Sequence, residues 1–62
     1  MFTRILESGV GVEVECFSLK TGEDTREFVG IKLIDGWGTA EWIISRPEAR
    51  AIIEGLTQEL GD

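Results

Sequence analysis

The sequence predicts an α+β fold: a four-stranded antiparallel β-meander followed by one C-terminal α-helix packed on one sheet face. Three observations carry this. Residues 2–44 are short runs of alternating apolar and polar side chains separated by glycine-containing turns. Residues 45–61, SRPEARAIIEGLTQELG, repeat apolar side chains at helical spacing between two marked ends. The connections between the runs are short, so consecutive strands should be neighbours.

Residues 2–7 read as the first strand from Phe2, Thr3, Ile5 and Leu6, and Glu7-Ser8-Gly9 supplies turn chemistry. In residues 10–19, Val10, Val12, Val14 and Cys16 alternate with Gly11, Glu13, Glu15 and Phe17. Period two then places the valines and the thiol on a first face, and the glutamates with Phe17 and Leu19 on a second. Residues 20–25, KTGEDT, read as a polar hairpin loop around Gly22. In residues 26–34, Val29, Ile31 and Leu33 share the first face, and Phe28, Gly30, Lys32 and Ile34 the second. Gly30 has no side chain to pack and marks either a bulge or a close neighbour. Asp35-Gly36-Trp37-Gly38 is a turn, and its second glycine predicts a loop longer than two residues. Residues 39–44 put Ala40, Trp42 and Ile44 on the first face, and Thr39, Glu41 and Ile43 on the second.

In the helix, Ala49, Ile52, Ile53, Leu56 and Leu60 make one apolar stripe. Ser45 and Glu48 stand in the S-x-x-E relation of a capping box. Pro47 falls in the first turn, where its missing N–H is harmless, and Gly61 can take the left-handed conformation that closes a helix. About fifteen helical residues span ~22 Å. That is enough to cover the middle of the first face, which carries Val10, Val12, Val14, Val29, Ile31, Leu33, Trp42 and Ile44, but not both faces.

Sixty-two residues make a single domain, 1–62. A chain this short buries only roughly 60% of its unfolded surface. Its one cysteine, Cys16, allows no internal disulfide, and without histidine one thiol makes no zinc site. Good packing or self-association remains, and a homodimer is the expectation. Twelve acidic against six basic residues leave a net charge of −6. The carboxylates are dispersed, with Glu48, Glu54, Glu59 and Asp62 on or after the helix. A dispersed acidic surface keeps a protein in solution and argues against gripping a phosphate backbone. No apolar run approaches the ~20 residues of a membrane span. The start, MFTRILES, lacks the apolar core of a signal peptide. A soluble, cytoplasmic protein is expected, and a free cysteine suits a reducing compartment.

The second face is the oddity. It carries Phe17, Leu19, Phe28, Ile34 and Ile43 among its glutamates, more apolar than a solvated sheet surface should be. With Trp37 in its glycine-flanked turn, these residues form the candidate interface. A one-residue slip at Gly11 or Gly30 would exchange the two faces. Trp42, in phase with Ala40 and Ile44, reads as core. Cys16 reads as a buried small side chain, since neither histidine nor a basic neighbour is there to activate it. Glu13 and Glu15 share a face, but without a water-excluding pocket they read as solvated carboxylates. Gly9-x-Gly11 and Gly36-x-Gly38 continue into no phosphate-binding motif. Arg46 and Arg50, one helical turn apart, can bind an anion or pair with Glu48, Glu54 or sheet carboxylates. No catalytic, cofactor-binding or metal residue is assigned.

The expected role is a small acidic, non-enzymatic protein-interaction or regulatory module acting as a homodimer on a protein partner. Small phage-encoded inhibitors are similar in size and charge. The alternative is a single-stranded nucleic-acid-binding domain, because some single-strand-binding transcriptional coactivators share the ββββα order. Phe17, Phe28, Lys20, Lys32 and Arg26 would then form the platform, with the net charge counting against it.

Overall fold

Each alternating run becomes a strand and the periodic stretch a helix. The computed structural model describes residues 1–61; Asp62, grouped above with the acidic residues after the helix, lies outside the described residues. The elements are β1 (Phe2–Ile5), β2 (Gly11–Thr21), β3 (Asp24–Asp35), β4 (Gly38–Ser45) and α1 (Arg46–Leu60). The strands form one antiparallel sheet in the order β1-β2-β3-β4, and the helix packs on it.

The register runs without interruption from Gly11↔Ile34 to Thr21↔Asp24, so neither Gly11 nor Gly30 introduces a slip. The faces therefore stand as the alternation predicts. Arg4, Val12, Leu33 and Ala40 make one row of the first face, and Phe2, Val14, Ile31 and Trp42 the next. Cys16, Val29 and Ile44 form the third. Gly30 marks no bulge, and its neighbour is not unusually close: a Cβ there would meet the Phe17 ring at 3.7 Å, an ordinary contact.

The turns are tighter than the sequence predicts at two of three places. Pairing of Lys20 with Thr25 and Thr21 with Asp24 leaves only Gly22-Glu23 as the turn, not six residues. Gly22 at φ +63° gives this two-residue turn the left-handed first position that matches strand twist. The 35–38 turn also has two central residues, Gly36 and Trp37, because Asp35 pairs with Gly38. The expectation of a longer loop fails because the Asp35 carboxylate closes the turn itself. Its Oδ1 accepts from the Trp37 amide at 2.8 Å and the Gly38 amide at 3.0 Å. Between β1 and β2, the Gly9 amide donates to the Leu6 carbonyl at 2.9 Å, and Gly9 sits at φ +92°. That is a one-turn reversal followed by a left-handed glycine.

Helix α1 has both predicted ends. The Ser45 Oγ accepts from the Glu48 amide at 3.3 Å, and Glu48 Oε1 accepts from the Ser45 amide at 2.8 Å. Gly61 takes φ +77° and donates to the Thr57 carbonyl at 2.9 Å.

Coverage of the sheet is far smaller than the length of the helix permits. The helix starts where β4 ends and approaches only β3 and β4. Ala49 is half-buried, whereas every residue from Ala51 to Leu60 is exposed. Val29, 8% exposed, is the one buried side chain among the described residues. Two expectations fall with this. Trp42 is 51% exposed rather than core, and Cys16 is exposed rather than buried, because the helix leaves the first face before it can cover either. The radius of gyration is 13.8 Å, against about 11 Å for a compact chain of this length.

Candidate interaction surfaces

Pleating and register put the six candidate interface residues in two places. Phe17, Leu19, Phe28, Ile34 and Ile43 all lie on the second face, away from the helix. Trp37 stands apart at the β3–β4 turn, 98% exposed, and does not fold back over the sheet edge. Phe17 and Phe28 are paired residues on β2 and β3, and their rings stack with centroids 6.0 Å apart and planes 28° apart. This offset geometry is favourable for aromatic pairs. Phe17 also lies beside Gly30, 3.7 Å from where a Cβ would stand, an ordinary contact distance. The two rings are therefore half-buried against each other, while Leu19, Ile34 and Ile43 are exposed.

Polar side chains divide this face. Glu13, Lys32 and Glu41 are directly opposite one another across β2, β3 and β4. Lys32 Nζ reaches Glu41 at 3.4 Å and Glu13 at 3.8 Å. The single lysine of the row is thus held between two carboxylates. The stripe separates Ile34, at one end of the face, from Ile43 and the Phe17–Phe28 stack. An open hollow of about 140 Å³ lies between, lined by Glu15, Phe17, Gly30, Lys32 and Ile43 among others. It is a dimple in a sheet surface, with glutamates and an apolar floor.

A second surface, not among the predicted sites, lies on the first face. Arg46 Nη1 donates to Glu27 Oε2 at 2.9 Å, tying the first helical turn to β3. Beside that anchor, Cys16, Val29, Ala49, Arg50 and Ile53 line a hollow of about 180 Å³. The helix and the sheet diverge from this corner. Phe2, Leu33 and Trp42 on the sheet remain exposed, as do Ile53, Leu56 and Leu60 on the helix. Ala49, Ile53, Leu56 and Leu60 lie along one side of the helix by their spacing, so the side that begins over Val29 continues past the sheet without a partner. The apolar stripe and the valine face were both legible in the sequence. What hid this surface was the assumption that each would cover the other.

The Glu48 carboxyl titrates below its ordinary range, held there by the Ser45 amide and with it the Ser45 hydroxyl. The cause is helix capping, so this displacement points to no reaction. Among the described residues, no group of three His, Cys, Asp or Glu side chains is placed to hold a metal ion. No helix among them is long and apolar enough to cross a membrane.

No protein-family model, curated protein or solved structure matches the chain.

Proposed function

We propose that this protein is a small acidic, non-enzymatic interaction module that acts as a homodimer on a protein partner, in the manner of a phage-type inhibitor. One observation carries the reading. A 62-residue chain with Val29 as its one buried side chain among those described leaves most of its apolar side chains half in water. Monomeric soluble domains rarely expose contiguous apolar surface on that scale. The cytoplasm is the proposed setting, supported by a single unpaired cysteine.

The partner-facing surface is the second face with Trp37: the Phe17–Phe28 stack, Leu19, Ile34 and Ile43, interspersed with Glu13, Glu15 and Glu41. Its alternation of apolar anchors and carboxylates suits a protein surface with apolar pockets between basic side chains. Interaction chromatography on immobilised basic proteins, with wild type against Trp37→Ala and Phe28→Ala, tests this. Binding that survives 0.5 M salt but falls with either substitution supports apolar docking. Binding abolished by salt and indifferent to both substitutions would reject it.

A single-stranded nucleic-acid reading has one observation on its side, the Phe17–Phe28 stack, since stacked aromatics are what bases dock on. The carboxylates on both sides of Lys32 weigh against it. Fluorescence anisotropy with a labelled oligonucleotide at low salt decides, and a flat titration rejects it.

A further inference from the structure

We infer that a second copy of this chain covers the first sheet face, the free side of one helix lying across the sheet of the other. This rests on the homodimer proposed above and names its interface, which leaves the second face outward.

The area is the first argument. The chain exposes 5363 Å². A compact monomer of its 6.9 kDa exposes about 4,000 Å². The excess of about 1,400 Å² per chain is more than the roughly 800 Å² a side of a standard interface, and falls within the range of obligate homodimers. A second copy matches this demand without any further segment, because each chain carries both halves of what is missing. The helix side bearing Ile53, Leu56 and Leu60 needs a sheet, and the sheet face bearing Phe2, Leu33 and Trp42 needs a helix. A twofold axis satisfies both needs at once, since an isologous contact pairs each patch with its complement twice.

Charge is the second argument, and it chooses between the faces. The three rows of the first face from Arg4 to Ile44 contain no carboxylate. On the second face Glu13, Glu15 and Glu41 lie among the apolar residues, so joining two copies there would press carboxylates together and strip them of water. For a chain of net charge −6 that is the unfavourable choice. On the first face Arg4 ends one of these rows, and Glu27, one row beyond Val29, is already paired with Arg46, so this face loses less on desolvation than the second.

Trp42 reports the outcome directly. In a Trp37→Phe background it is the one tryptophan, and in the lone chain it is 51% exposed. The experiment combines light scattering over a dilution series with emission and acrylamide quenching of Trp42, plus two charge insertions, Leu56→Asp and Ile43→Asp. The expected result is a dimer in which Trp42 emits to the blue and resists quenching, changing to red, quenchable emission as dilution dissociates it. Ile43→Asp should remain dimeric and Leu56→Asp should not. A monomer at every concentration would overturn both this interface and the homodimer it rests on. A dimer in which Trp42 quenches as readily as a half-exposed indole, or one broken by Ile43→Asp, overturns the interface and leaves the homodimer standing. Should Leu56→Asp fail to fold, the quenching of Trp42 in the otherwise unchanged chain still decides.

Discussion

Replacing Ser45 by alanine tests whether the strand-to-helix junction is held by its cap. No linker separates β4 from α1; Ser45 ends one and caps the other at φ −75°, ψ 164°. The substitution removes the hydroxyl that accepts from the Glu48 amide. It leaves the reciprocal bond, from the Ser45 amide to Glu48 Oε1 at 2.8 Å, because that donor is backbone. Loss of an N-cap oxygen costs about 0.5–2 kcal/mol. The lost bond is 3.3 Å long and exposed. Both features place the cost in the lower part of that range, about 0.5–1 kcal/mol. For a domain near sixty residues this lowers Tm by roughly 4–8 °C. Thermal unfolding followed by far-ultraviolet circular dichroism reads it, with all variants at one protein concentration because self-association shifts Tm. Ser45→Asp should restore stability to within a few tenths of a kcal/mol, and Ser45→Gly should fall between. A Ser45→Ala protein as stable as wild type, or a Ser45→Asp protein as weak as Ser45→Ala, would mean that the junction is held by packing and not by its cap.

Three further outcomes are expected. Val29→Ala removes two buried carbons at about 0.8 kcal/mol each and leaves a small void, so urea unfolding should show a loss of about 2 kcal/mol; a loss below 0.5 kcal/mol would contradict the burial of Val29. The two helix glycines should respond in opposite directions. Gly55→Ala meets nothing within 4 Å and should gain about 0.5–1 kcal/mol, whereas Gly61→Ala forces a side chain to φ +77° and should lose about 1 kcal/mol. A destabilised Gly55→Ala protein would place a neighbouring element against that glycine. Glu48→Gln keeps the capping acceptor but removes its charge. The carboxyl is held below its usual value in the folded chain, so its contribution is present in full above about pH 4.3, the unfolded glutamate value. That contribution is lost as pH falls through the lower folded value. The stability gap between wild type and Glu48→Gln should therefore close on acidification, and parallel pH profiles would refute the assignment.

The features legible in the sequence are those that neighbours along the chain decide. Period two assigned Val12, Val14, Val29, Ile31 and Leu33 to one face, and the register keeps them there. The S-x-x-E spacing and Gly61 located both helix ends. The hairpin turns were harder. Lys20, Thr21, Asp24 and Thr25 look like loop residues, yet they pair, because the ladder is made by backbone groups and an exposed hairpin tip accepts polar side chains. The candidate interface was legible as a set of positions, since Phe17, Phe28 and Ile43 follow from alternation alone. Their division by Glu13, Lys32 and Glu41 follows only from the pairing of three strands.

By itself the sequence determined the elements, their order and which side chains share a face, since each depends on backbone preferences and spacings within a few residues. The tertiary structure alone decided how much the helix shields. Burial depends on the direction in which the chain leaves Ser45, and that direction is set jointly by the cap, the Arg46–Glu27 pair and contacts with β3 and β4. A stripe can be read from its period, but the surface it meets belongs to residues far away along the chain. That is why Trp42 and Cys16, which alternation places among core residues, stand in water here.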